Sequence, residues 1–336
     1  MIKYGALHKK SSVLRVYIKR KNGGRGLIGI EECVGAELRN VHHYLANSHE
    51  ILLAAVAKED GLDRGMIEGK NLYKERIEKE KLESVEKMTL HGQFERDTKE
   101  LKCGDTWNFL SKSDLKRETE GLILAAQEQA LNTNAINKNI YGMECSDMCR
   151  LCGKQLETVT HIVGACSTLA QREYKRRHDK VCLNLHWGLC KKYGFKVSEN
   201  WYQHQPESVM ENEECKILWD FMIQCDRYVE HRRPDIVVIN KRNNECQIID
   251  VACPSDTNLA KKKNEKYQNY TLLRSEVARL WDKKTSIVPI IIGALGSIPE
   301  DLSRNLKKIE IPYNITVLQK SVLLGTAGIL RQVLSV

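Results

Sequence analysis

The chain has 336 residues, 42% of them hydrophobic and only 6% aromatic, enough to bury more than one core and to fill two or three domains. Its 53 Lys and Arg against 44 Asp and Glu leave a net charge of +9, which favours a polyanionic partner. The start MIKYGALHKK lacks an apolar signal core, and runs such as IVPIIIGALG at 287–296 are too short to span a bilayer. A soluble intracellular protein without membrane contact is expected, its twelve irregularly spaced cysteines free or metal-bound in a reducing compartment.

Residues 1–104 read as a mostly helical region. YIKRKNGGRG turns at Gly23, Gly24 and Gly26, where the flanked arginine is either a phosphate clamp or part of a plain loop. Helical periodicity runs from Leu27 to Ala57 with a break near Asn47 and Ser48. The charge-dense stretch 66–91 reads as a solvated helix laced with i,i+4 pairs. Residues 105–144 follow as a helical linker. Ser113 or Asp114 can cap a helix whose apolar face runs through Leu122, Ile123, Ala126 and Ala130.

Within 145–180, Cys149, Cys152, His161 and Cys166 have the spacing of a tight knuckle followed by a short helix, converging on a tetrahedral Zn²⁺. Four ligands fill the shell, so this zinc would be structural. Gly153 follows the knuckle where a positive φ is often required. Cys145 is an alternative ligand. The run QREYKRRHDK at 171–180 reads as a phosphate-contacting helix using Arg172, Lys175, Arg176 and Arg177, with Tyr174 available to stack on a base. A solvated basic face is the alternative reading.

Residues 181–212 are expected to be a connector. From 213 to 230, Ile217, Leu218, Phe221, Met222, Cys225 and Val229 fit one face of a helix covering a sheet, with Asp226 or Glu230 at its end as a further carboxylate. PDIVVIN and CQIIDVA then flank the turn-prone KRNNE as a hairpin buried on both faces. With the turn centred between Arg242 and Asn243, Asp235 lies directly opposite Asp250, about 4.5 to 5.5 Å apart at Cβ. Two facing carboxylates repel unless a hard divalent cation, Mg²⁺ or Mn²⁺, lies between them. In the helix expected over 258–284, Tyr267, Tyr270, Leu273, Val277, Leu280 and Trp281 mark the buried stripe, and Lys266 sits beside it. There a lysine can orient water or offset charge on a phosphorane; Lys262 and Lys263 are close competitors. SIVPIIIGALG reads as one more buried strand and SVLLGTAGILRQVL as an apolar core helix.

Arg-Pro-Asp at 233–235, fourteen intervening residues and Ile-Asp-Val at 249–251 resemble the PD-(D/E)XK restriction-like endonucleases, in the variant that ends the reading frames of site-specific non-LTR retrotransposons. The commoner pattern places its lysine two residues after the second acid, where this chain has Ala252. In the retrotransposon branch the lysine has moved onto the following helix, which is similar to Lys266 here. The resemblance extends back through the zinc segment and 105–133 to RKNGGRGL. It implies an α/β restriction-endonuclease-like core over 213–336, in the order helix, β-hairpin, helix, strand, apparently one strand short before the first acid. It also implies Asp235, Asp250 and Lys266 as catalytic residues, Arg233 among the nucleic-acid contacts, a DNA target with element RNA as a further partner, and action in the nucleus. The reaction implied is nicking of genomic DNA so that the freed 3′ end primes reverse transcription. No YxDD motif occurs, so the polymerase is expected to be absent and the chain a fragment. The alternative is a catalytically silent, zinc-containing nucleic-acid-binding fragment; a zinc-stabilised scaffold without such contacts fits the charge less well.

Overall fold

Five strands, β1 (Val209–Glu211), β2 (Cys215–Trp219), β3 (Ile236–Asn240), β4 (Glu245–Ala252) and β5 (Lys284–Ile291), form one mixed sheet in chain order. They belong to a computed structural model that describes residues 2, 5–62, 68–100, 104–311 and 314–335. β1 to β4 are antiparallel neighbours, and β5 returns parallel to β4 after the helix Leu259–Trp281. The strands fail to alternate polar with apolar because both faces are covered. On one face Ile236, Val238, Ile249, Val251, Val288 and Ile290 meet the helices Lys175–Lys192, Leu302–Ile309 and Ile315–Leu334. On the other, Val237, Ile239, Ile248 and Ile287 pack against Tyr270, Leu273 and Val277 of Leu259–Trp281. Pro289, which cannot donate to a ladder, is tolerated because β5 lies at the sheet edge.

The hairpin register is the one the sequence predicts. Ile236 pairs with Ile249 and Asn240 with Glu245, so one further step along the ladder sets Asp235 against Asp250. The helix expected over 213–230 does not form. Cys215 to Trp219 is instead strand β2, paired on both sides, and the chain then loops back with Asp220 in the left-handed region (φ 44°). A strand buried on both faces carries a continuous apolar run, and over five residues that run also satisfies helical spacing. Cys215 and Ile217 enter one core and Leu218 the other, while Phe221 and Met222 are exposed. The covering helix is Lys175–Lys192, so residues 181–192, expected to be connector, continue the basic run as one helix.

Upstream, the helices Ile30–Asn47 and Ile51–Glu59 are separated at Ser48, whose extended backbone makes the expected break. Lys70–Lys87 is the charge-laced helix, with Arg76 and Glu80 paired at i,i+4. Neither Ser113 nor Asp114 caps Arg117–Gln127. Its N-cap is Lys116, the Ser113 hydroxyl donates to the Phe109 carbonyl, and Asp114 takes a φ of 50°. Arg25 does not reach out as a phosphate clamp; it is buried and paired with Glu120. Gly24 is required beside it, since a Cβ there would stand 1.9 Å from the Ile18 carbonyl oxygen.

A third core runs across the expected segment borders at 144 and 180. Phe94, Trp107, Ile123 and Leu124 join Val159, Ile162 and Cys166 of the zinc segment, and Leu330 and Val333 of the C-terminal helix. No helix among the described residues is long and apolar enough to cross a membrane.

Candidate active site and zinc centre

The hairpin ends and the helix Leu259–Trp281 bring Asp235, Asp250 and Lys266 together; Asp235 and Lys266 line a cleft of about 630 Å³, and Asp250 is buried behind them against Lys266. Asp235 lines it, and its Oδ2 accepts hydrogen bonds from the Val251 amide at 2.7 Å and from His178 Nε2 at 3.1 Å. Among the described residues no hydrogen bond to its Oδ1 is found, and the side chain is 21% exposed. Asp250 is 2% exposed. Its Oδ1 accepts from the Tyr270 hydroxyl at 2.7 Å, and its Oδ2 is paired with the Lys266 ammonium.

The electrostatics separate the two acids. Burial and the charge of Asp235 push the Asp250 carboxyl up to about 6, although Lys266 and Tyr270 pull the other way. Burial also opposes ionisation of Asp235, but the hydrogen bond and charge of His178, with the Val251 amide, hold it below the ordinary carboxylate value. Burial opposes the charge of Lys266 too, yet Asp250 and Asp235 together keep its pKa above that of a free lysine. Of the competing lysines, Lys262 pairs with Glu265 at 2.7 Å and Lys263 with Asp301 at 2.7 Å. Asp226 is tied to Arg279, and neither it nor Glu230 lines the cleft.

His178 and Cys182 stand beside Asp235, and sequence reasoning missed both. His178 bridges Asp235 and Asp179, donating from Nδ1 to Asp179 Oδ1 at 3.0 Å; burial disfavours its charge, but the two carboxylates outweigh burial and raise its pKa. The available signal was the spacing His178, Cys182, His186, Cys190, one residue per helical turn. The run QREYKRRHDK drew attention to its positive charge instead.

The expected zinc ligands converge. One donor atom each from Cys149, Cys152, His161 and Cys166 lie within 4.8 Å of one another, a cluster able to hold a metal such as zinc. Cys152 Sγ is 3.4 Å from His161 Nε2, and Cys149 Sγ is 3.9 Å from Cys166 Sγ. The knuckle closes through the Gly153 amide to the Cys149 carbonyl, with Gly153 at φ 63° as expected. Thr158 caps the helix Val159–Gly164 by accepting from the His161 amide, which aims the imidazole. His161 Nδ1 lies 2.9 Å from Gln155 Oε1, which fixes the tautomer that leaves Nε2 for the metal. Burial lowers the His161 pKa, so the neutral imidazole a metal requires is favoured. Cys145 is exposed and outside the cluster.

Two expected nucleic-acid contacts are structural. Arg177 is 2% exposed and donates to the carbonyls of Val163 and Cys253 and to the Thr326 hydroxyl, joining the zinc segment, the end of β4 and the C-terminal helix. The Tyr174 hydroxyl accepts from the Cys166 amide and donates to the Ile162 carbonyl at 2.7 Å; burial pushes its pKa up to about 12. It braces Cys166, a member of the Cys/His cluster, and is not free to stack on a base. A π-helical turn at Ala170–Tyr174 rotates the basic run so that this pair faces inward. Arg172, Lys175 and Arg176 remain exposed, and Lys175 lines the cleft with Lys261 and Lys262. Arg233 is exposed and paired with Asp220 at 2.8 Å.

No protein-family model matches the chain, and no curated protein matches it.

Proposed function

We propose that the chain is a Mg²⁺- or Mn²⁺-dependent DNA endonuclease of the restriction-like type, fused to a CCHC zinc segment and derived from a retrotransposon polyprotein. The observation that carries this reading is Asp235 and Lys266 lining one cleft, rimmed by Lys175, Lys261 and Lys262, with Asp250 paired to Lys266 directly behind it. The order helix Lys175–Lys192, β1 to β4, helix Leu259–Trp281, β5 also supports it, because β2 fills the strand place that the sequence pattern left empty before Asp235.

The donor set suits a hard cation: two carboxylates, one strained by the other's charge, with Asp235 lining the cleft. Asp235 and Asp250 would hold it, and when bound it supplies Lewis acidity and a water of lowered pKa. Lys266, paired with Asp250 beside the cleft, would offset charge that grows on a phosphate oxygen in the transition state. His178 holds Asp235 ionised and fixes its rotamer. Arg172, Lys175 and Arg176 would contact backbone phosphates, and Arg233 a strand near the loop 220–235. Nicking of genomic DNA to prime reverse transcription, in the nucleus, is the role this chemistry serves.

The test is nicking of supercoiled plasmid by the purified chain with Mg²⁺, with Mn²⁺ and with EDTA, beside Asp250→Ala. Metal-dependent nicking lost in the variant is expected. DNA binding by both proteins with nicking by neither would replace the enzyme with a silent binding fragment.

A further inference from the structure

The helix Lys175–Lys192 carries a second His and Cys pair two turns beyond the one at Asp235. Eight residues separate His178 from His186, about 12 Å along the axis, so the second pair lies outside the carboxylate site. His186, Cys190 and His204 are all buried, and one donor atom from each falls within 4.8 Å of the others. His186 Nδ1 is 2.8 Å from His204 Nε2 and 3.5 Å from Cys190 Sγ. The two imidazoles stack with centroids 5.0 Å apart, and Trp219 stands edge-on to His186 at 5.2 Å.

We propose that these three side chains bind a second structural zinc ion. Two imidazoles and a thiolate are borderline-soft donors of the kind zinc takes, and Cys190 and His186 sit one turn apart, as two ligands on one helix must. His204 comes from 195–208, which holds only the short turn Trp201–Gln203 and is otherwise irregular. Besides His204, this loop is held to the helix by the Trp187 indole donating to the Ser198 carbonyl at 2.9 Å and by the Phe195 amide donating to the Cys190 carbonyl at 2.9 Å; a metal on His204 would fasten the stretch between Ser198 and Ser208. Zn²⁺ with one thiolate and two neutral imidazoles retains one positive charge. The three clustered side chains supply three ligands, and the fourth position would be left to water. Binding displaces one proton, from the Cys190 thiol. Trp219 also lines the catalytic cleft, so the ion would fix one of its walls.

Zinc content of the full chain, dialysed against metal-free buffer, tests this by mass spectrometry. About two equivalents per chain are expected, falling to about one in His204→Ala and in Cys190→Ser. One equivalent in the wild type, unchanged in both variants, overturns the proposal. Should either variant fail to fold, zinc K-edge absorption of the wild type decides: about two sulfurs per zinc on average support two sites, and about three, the CCHC cluster alone, refute the second. A single equivalent that survives Cys166→Ser but not His204→Ala would uphold this site while removing zinc from the CCHC cluster.

Discussion

Asp250→Asn should stabilise the protein at neutral pH while abolishing nicking. The Asp250 carboxyl is raised from 3.8 to about 6 by burial and by Asp235, a rise of about two pH units or roughly 3 kcal/mol. The folded state therefore holds this proton more tightly than the unfolded state, and the stability so gained is present below pH 4 and lost as pH rises through 6. Asparagine keeps the shape and sheds the charge. Lys266 loses one counter-ion but retains Asp235, which reduces the gain at pH 8 to about 1 to 2 kcal/mol. At about 2 to 4 °C per kcal/mol, thermal denaturation resolves that difference. Other carboxylates titrate in the same range, so the quantity to follow is the wild-type Tm minus the variant Tm, from pH 4.5 to 8. It should fall from pH 4.5 to about 6 and level off above, and Mg²⁺ should restore it above pH 6 by raising the wild-type Tm alone. A difference that stays constant with pH would refute the electrostatic account of the site.

Lys266→Met should lower nicking by about 10²-fold, with Lys262→Met and Lys263→Met close to wild type in single-turnover assays. Because Lys266 holds the Asp250 pKa down, its loss should also move the acid limb of the pH–rate profile to higher pH. Arg177→Ala should cost about 3 kcal/mol or more in urea denaturation, since it leaves two buried carbonyls and a hydroxyl without their donor. Arg172→Ala and Arg176→Ala should leave the Tm unchanged, weaken DNA binding and reduce the salt slope by about one each; an unchanged slope would remove them from the interface. Tyr174→Phe should cost about 1 to 3 kcal/mol and speed zinc extraction by a chelator, followed with a colorimetric dye, because the Cys166 amide loses its acceptor.

The carboxylate hairpin and the Cys/His cluster were legible in the sequence because both are short-range constructions. A tight turn fixes which residues face each other, and the side-chain period of two leaves one register for Asp235 and Asp250. Knuckle spacing and a capped helix likewise bring Cys149, Cys152, His161 and Cys166 together with little help from the rest of the chain. Helical period placed Lys266 beside the stripe of Tyr270, Leu273 and Val277 that meets the sheet, but left Lys262 and Lys263 as competitors until the structure paired Lys266 with Asp250.

Tertiary structure decided what local pattern leaves degenerate. The run from Cys215 to Trp219 is apolar at every second and third position, and only pairing with β1 and β3 makes it a strand. A dense basic run does not state which of its residues face inward: Tyr174, the last residue of the π-helical turn, and Arg177 after it are turned inward, while Arg172 and Arg176 stay in solvent. His178 gained its place beside Asp235, and His186 its place beside His204, from contacts 57 and 18 residues apart along the chain. Short-range geometry thus determined which groups this protein can offer for metal and phosphate chemistry. Long-range packing, which alone sets burial and the charges that surround each group, decided which of them face the cleft.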